Sequence, residues 1–196
     1  MKQTHATTDS SPNPPTLIVV CGLPATGKSS LAEELRDALG WPLFAKDRFK
    51  ELLYDSVEPD RDAFTREEST VIGKQSIALL LNVASELLRT KISCIVEANF
   101  LPHMGPTDLA PLLAISRGRQ VHCSIPAELM LERYRKRANA GERHPVHVDD
   151  GAEAELVERI ESGGGAPLPM EVPLLEVDAS DGWNPNLAEI VAFCQS

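Results

Sequence analysis

An α/β fold, a parallel sheet with helices on both faces, is the class this sequence predicts, and three observations predict it. Segments rich in β-branched and other apolar residues alternate along the chain with segments of helical period. The first apolar run, residues 17–21, shows no apolar–polar alternation, which suits a parallel strand covered on both sides. A glycine-rich turn joins that run directly to a helical pattern, so the chain opens as strand, loop, helix.

The elements follow in order. Residues 17–21 are the first strand. Over 29–39 the spacing puts Leu31, Leu35 and Leu39 four residues apart on one helix face, and Gly40 with Pro42 stops the helix. A short strand at 43–45 leads into a helix over 47–54, and 55–62 is an acidic link. A long helix over 64–88 carries an apolar stripe that includes Val71, Ile72, Leu79, Val83 and Leu87. The third strand is 93–97. The next helix, 106–116, contains Pro111, which is expected to kink it or confine it to its C-terminal half. A strand at 121–125, an amphipathic helix at 127–138, a polar irregular stretch at 143–150 and a helix at 152–160 come next. Residues 163–169 hold three consecutive glycines and form a loop, 172–177 is the last strand, and 186–194 is the last helix.

Length and composition bound the function. A chain of 196 residues, 42% of them hydrophobic, can fill one core, expected over 16–196 behind a flexible leader at 1–15. Nineteen Lys and Arg against 29 Asp and Glu leave a net charge of -10. Such a chain repels a polyanion unless its cations gather in one cleft, so nucleic acid is an unfavoured partner. The apolar runs are far shorter than the roughly 20 residues that span a bilayer, and the N-terminus lacks the apolar centre of a signal peptide. A cytoplasmic protein without a membrane segment is expected. Cys21, Cys94, Cys123 and Cys194 show no C-x-x-C spacing, and three of them fall in strand-like runs, which predicts buried free thiols.

Gly22-Leu23-Pro24-Ala25-Thr26-Gly27-Lys28-Ser29 matches the phosphate-binding pattern G-x-x-x-x-G-K-S at every fixed position, and it lies between a strand and a helix as that pattern requires. Its glycines let the backbone turn tightly against phosphate oxygens. Successive amides and the following helix N-terminus, through Ser29 and Ser30, aim partial positive charge inward. Lys28 is placed to reach the outer phosphates, and the Ser29 hydroxyl to ligate Mg²⁺. ATP with Mg²⁺ is the expected cofactor pair.

Phosphoryl transfer to a hydroxyl also needs a group that orients the acceptor and cations that cover the moving charge. Asp47 stands 19 residues after Lys28, where the second strand ends and a helix begins. In a parallel sheet that end of the strands forms the ligand crevice, although an aspartate there could also serve as a helix N-cap. Glu97 and Asn99 stand at the end of the third strand and could hold a metal-bound water or a substrate hydroxyl. Arg133, Arg135, Lys136, Arg137 and Arg143 make the densest cationic stretch. Arg133 and Arg137, four apart, are expected to face the crevice together while Arg135 points elsewhere. His144 and His147 lack the third ligand that zinc would want, so lid or substrate contact is expected of them. His103 and Met104 could line the acceptor pocket.

Together the segments G-L-P-A-T-G-K-S, K-D-R-F-K, V-E-A-N-F and R-Y-R-K-R-A-N-A-G-E-R-H-P-V-H resemble the small P-loop kinases of the AAA-type ATP-binding domain family. That family is related to polynucleotide 5'-kinase, chloramphenicol phosphotransferase and the zeta toxins. The resemblance spans about 17–194. It implies a nucleoside-monophosphate-kinase-like fold, a five-stranded parallel sheet with a helical lid at about 133–150. It also implies that Asp47 acts as base toward the acceptor and that Arg133 and Arg137 stabilise the transferred phosphoryl group, Arg133 also contacting the nucleotide. Where polynucleotide kinases carry a phosphate-contacting arginine three residues after that aspartate, this chain has Lys50, a point charge without a bidentate fork.

The reading reached is an ATP-dependent phosphotransferase acting on a hydroxyl of a small molecule, with Lys28, Asp47, Arg133 and Arg137 catalytic. Asp47, Lys50, Glu97, Asn99 and Arg143 are its candidate acceptor residues. Rival readings are a polynucleotide or nucleoside kinase, a nucleotide-hydrolysing switch protein, and a toxin-like kinase of nucleotide sugars.

Overall fold

β1 (Thr16–Cys21), β2 (Leu43–Ala45), β3 (Cys94–Glu97), β4 (Arg117–Ser124) and β5 (Leu174–Asp178) form one sheet in the order β2-β3-β1-β4-β5, with every neighbouring pair parallel. The computed structural model describes residues 13–57, 64–140, 143–148 and 151–196. Most of the expected leader, residues 58–63 of the acidic link, and 141–142 and 149–150 of the expected lid lie outside the described residues.

β1 is central and wholly buried. Its side chains alternate between two cores: Leu17, Val19 and Cys21 face one, Ile18 and Val20 the other. Because both faces are apolar, the strand reads as a continuous hydrophobic run. α3 (Arg66–Arg89) and α4 (Gly105–Leu113) cover the first face; α1 (Lys28–Leu39) and α7 (Leu187–Gln195) cover the second. α1 ends as expected, with Gly40 at φ 68° and its amide bonded to the Arg36 carbonyl at 2.8 Å. A third apolar cluster joins α5 (Ala127–Asn139) and α6 (Ala152–Glu161) to Leu23 of the glycine-rich loop. The four cysteines are buried free thiols, as expected.

Three expectations are corrected. The buried face of α3 is Ser69, Ser76, Leu80, Ala84 and Leu88, whereas Val71 and Leu79 are exposed. Apolar residues fall on more than one face of this helix, so periodicity leaves its orientation open. The sheet selects the face that carries Leu80, Ala84 and Leu88. Among the described residues α3 is also the one helix long and apolar enough, at mean hydropathy 1.3, to cross a membrane; here it packs on α2 (Lys46–Ser56), α4 and the sheet. Pro111 does not confine α4 to its C-terminal half. The helix starts at Gly105 with Pro106 in its first turn, where a missing N–H costs nothing, and stops at Leu113. β4 starts four residues earlier than expected, because Arg117 to Gln120 pair in register with Thr16 to Val19 despite their polarity.

Candidate active site

The glycine-rich loop runs from the C-terminal end of β1 into α1, and its geometry is that of an anion cradle. Gly22 has φ 143°, and a Cβ there would lie 2.3 Å from the Cys123 carbonyl oxygen of β4. Gly27 has φ 87° and caps α1, while Ala25 also takes a positive φ of 65°. The Thr26 hydroxyl donates to the Leu23 carbonyl at 2.9 Å and closes the turn. The start of α1 has no capping side chain and no acidic residue in its first turn. Its first amides are left for an anion to satisfy.

Lys28 is nearly buried, its Nζ 3.5 Å from Glu97 Oε1, and the Ser29 hydroxyl donates to Glu97 Oε2 at 3.3 Å. Glu97 is buried where β3 ends beside β1. Burial pushes its carboxyl above the usual range, against the pull of Lys28. The strand-end carboxylate therefore belongs to the phosphate-binding loop and stands on its Lys28 and Ser29 side. A hydroxyl and a carboxylate oxygen in contact are the donor types a hard divalent cation takes, so the residues present fit Mg²⁺.

A cleft of about 600 Å³ opens beside the loop, walled by α2, α3, the loop after β3, the turn at 143–148 and α6. Lys28, Ser29, Asp47, Lys50, Asn99, Arg137, Arg143, His147 and Met104 all line it. Asp47 lies in the first turn of α2, where Ala45 is the N-cap and no side chain caps the helix. Capping does not explain this aspartate. Its carboxylate accepts from Lys46 Nζ at 2.9 Å. Burial would raise its pKa, but Lys46, His147 and Lys28 outweigh that and hold it well below the usual carboxylate range. His147 itself is pushed down to about 3 by burial, so near neutrality it is uncharged and the lysines carry the effect. His147 Nε2 meets Glu51 Oε1 at 3.2 Å, and His144 Nε2 meets Asp55 Oδ1 at 3.2 Å. Both histidines thus fasten the 143–148 turn to α2.

The structure parts the two arginines expected to act together. Arg137 lines the cleft, exposed to solvent. Arg133 lies outside the cleft wall: its guanidinium donates to the carbonyls of Ala179 at 3.0 Å and Ser180 at 2.7 Å, in the loop after β5. That loop backs the glycine-rich turn, since Trp183 and Ala179 stand 3.4 Å and 3.6 Å from where a Cβ on Gly27 would be. The two residues share a face of α5, but the carbonyls after β5 capture the Arg133 guanidinium, so four-residue spacing alone does not give both one target. Arg135 points elsewhere, as expected, pairing with Glu153 at 2.6 Å. His103 does not line the cleft.

Sequence reasoning missed the α3 contribution. Arg66, Ser69, Gly73 and Ile77 recur at helical spacing along the cleft wall. Arg66 binds Glu155 of α6 at 2.6 Å and the Val148 carbonyl at 2.5 Å. No signal in the sequence marks these positions, because Ser69 and Gly73 stand among other polar residues of the helix.

The model of an AAA domain matches residues 17–162. A search of curated proteins finds no match. Among solved structures the chain is similar to a candidate kinase from Chloroflexus aurantiacus J-10-fl, at 34% identity over 93% of this chain and 98% of that one, with a TM-score of 0.81. It shares its fold, at 16% identity and a TM-score of 0.60, with a sugar kinase from Janibacter sp. HTCC2649, over 94% of this chain and 95% of that one. The APS kinase of Mycobacterium tuberculosis shares the fold at 17% identity and a TM-score of 0.55, over 94% and 100%.

Proposed function

The chain belongs to the AAA domain family, with the fold of the small P-loop kinases, and from that premise we propose that it moves the γ-phosphoryl group of ATP to a hydroxyl of a small molecule. One observation carries the reading: the cradle of Lys28 and Ser29 and the carboxylate of Asp47 line a single cleft. The loop amides and Lys28 bind the β and γ phosphates. Ser29 and Glu97 would hold Mg²⁺, which when bound neutralises charge on the phosphate oxygens. Asp47 accepts a hydrogen bond from the acceptor hydroxyl and aims its oxygen at the γ-phosphorus. As that oxygen bonds to phosphorus, the bond to the β–γ bridging oxygen breaks, ADP leaves, and the hydroxyl proton passes through Asp47 to water. Arg137 covers the charge of the moving group. Arg133 braces the loop behind the phosphate cradle.

Three outcomes are expected from ADP release measured across a panel of sugars, nucleosides and other alcohols. Lys28→Ala should lower acceptor-dependent turnover by about 10²-fold or more, because it removes the cation on the outer phosphates. Wild-type turnover that Lys28→Ala does not change would remove the proposed donor site. Arg137→Ala should lower kcat by about 10²–10³-fold. Arg135→Ala, which loses only a solvent-exposed ion pair, should retain both kcat and stability.

A further inference from the structure

The cleft carries an apolar wall that the transfer step itself does not use. α3 turns one stripe to the cleft, polar at its start with Arg66, Ser69 and Gly73 and apolar further on with Ile77, Ala78 and Leu81. The loop after β3 adds Phe100, Leu101 and Met104 to the same cleft, with Asn99 and Asp108 flanking it in the chain. The wall is fixed from behind. Phe100 belongs to the first core with Leu80 and Ala84, and Ile77 and Leu81 pack against that core. Met104 opens α4, its amide bonded to the Leu101 carbonyl at 3.0 Å, and its side chain is 45% exposed.

The helix supplies a ruler between this wall and the site of transfer. A Cβ on Gly73 would stand 3.9 Å from Lys46 Cε, and Lys46 Nζ in turn holds Asp47 at 2.9 Å. From Gly73, Ile77 is about 6 Å along the axis and Leu81 about 12 Å, at 1.5 Å per residue. The apolar wall therefore begins about one helical turn beyond the group that holds the acceptor hydroxyl. A second hydroxyl carried that far would exchange water for hydrocarbon and a thioether, which is unfavourable. A methylene or a ring carried there leaves water for surfaces of its own kind, and Met104 can adapt to either shape.

We propose that the acceptor is an alcohol with an apolar arm, alkyl or aryl, and that the arm lies along Ile77, Leu81, Phe100 and Met104 while Asp47 holds the hydroxyl. The inference rests on the phosphotransferase reading for the hydroxyl and on the fixed apolar wall for the arm. It separates this chain from a kinase of polyols, whose acceptor would bring a hydroxyl to each of those positions.

The test uses the full chain loaded with AMP-PNP, so that the nucleotide site is filled, and follows the fluorescence of the neutral apolar probe N-phenyl-1-naphthylamine. The probe should bind saturably and be displaced by 1,2-hexanediol more strongly than by 1,2-propanediol, by about two- to fourfold for each added methylene. Glycerol and sorbitol, which offer hydroxyls without an arm, should displace it about tenfold less well than hexanediol, or worse. Comparison of 3-phenyl-1-propanol with hexanediol separates an aryl arm from an alkyl one. Ala78 and Met104 are both exposed, so the pair Ala78→Gln and Met104→Gln changes the wall without opening the core. It should weaken displacement by hexanediol by about three- to tenfold, whereas Met104→Leu alone should keep it, and melting temperatures show that each variant is folded. No saturable binding of the probe, displacement that ignores arm length, or a length dependence that survives the paired substitution overturns the proposal. ADP release with the same alcohols reads the other premise. Transfer to glycerol or sorbitol as fast as to hexanediol keeps the kinase and rejects the arm, whereas arm-dependent binding without transfer to any of them keeps the apolar wall and counts against the kinase alone.

Discussion

Asp47→Asn is expected to lower phosphoryl transfer by about 10²–10⁴-fold while leaving ATP affinity equal or higher. The substitution keeps the shape of the side chain and an oxygen that can still accept from Lys46 Nζ, so the first turn of α2 is not disturbed. What disappears is a negative charge in a cleft whose other groups near it are mostly cationic. For a triphosphate that loss is neutral or favourable, because the field of Lys28 and Lys46 is no longer offset. For an acceptor hydroxyl it is not, since an amide oxygen is a weaker acceptor than a carboxylate and takes up no proton. The direction of the Asp47 pKa refines its role. Held well below the usual carboxylate range, Asp47 is ionised near neutrality and is a weak base. It therefore acts chiefly by orienting the hydroxyl, which a loose phosphoryl-transfer transition state permits. The acid limb of the rate profile should accordingly not fall near pH 4 on its account. Titration with AMP-PNP and coupled ADP release separate the two effects, and transfer that survives Asp47→Asn undiminished would remove the assigned role.

Local chemistry made part of the fold and site legible. Gly22, Gly27 and Gly40 mark turns because each takes a positive φ, and the unalternating run of β1 announces a strand with two covered faces. Lys28, Ser29 and Asp47 followed from the sheet topology, which brings the ends of β1 and β2 to one edge of the cleft. What stayed illegible depended on contacts distant in sequence. The orientation of α3 is set by the sheet beneath it, so neither its buried face nor the cleft positions of Arg66 and Ser69 could be read from its composition. Arg133 and Arg137 share a spacing but not a target, because the loop after β5 supplies two carbonyls that capture one of them. The polar residues at the start of β4 hid a strand that pairing with β1 stabilises.

Gly22→Ala tests the cradle without touching any charged group, and its expected effect is large. Two independent costs coincide at this residue. Its φ of 143° belongs to a region L side chains rarely enter, and the added Cβ would stand 2.3 Å from a carbonyl oxygen of β4, a backbone atom in the middle of the sheet that cannot swing aside. Strain of the first kind costs about 1–3 kcal/mol, and overpacking of the second kind about the same. The loop can relieve the clash only by moving off β4, which carries the Leu23 to Lys28 amides away from the phosphate position. Stability should therefore fall by about 2–5 kcal/mol, on the order of 10 °C in melting temperature for a chain of this size. Nucleotide binding should be lost even at temperatures where the variant is folded. Gly163→Ala is the matched control: φ there is 75°, and a Cβ would meet nothing within 4 Å. It pays for backbone strain alone, about 1 kcal/mol, and should bind AMP-PNP as the parent does. Equal behaviour of the two variants, in melting temperature and in nucleotide affinity, would mean that close approach of the loop to β4 does not set the phosphate cradle.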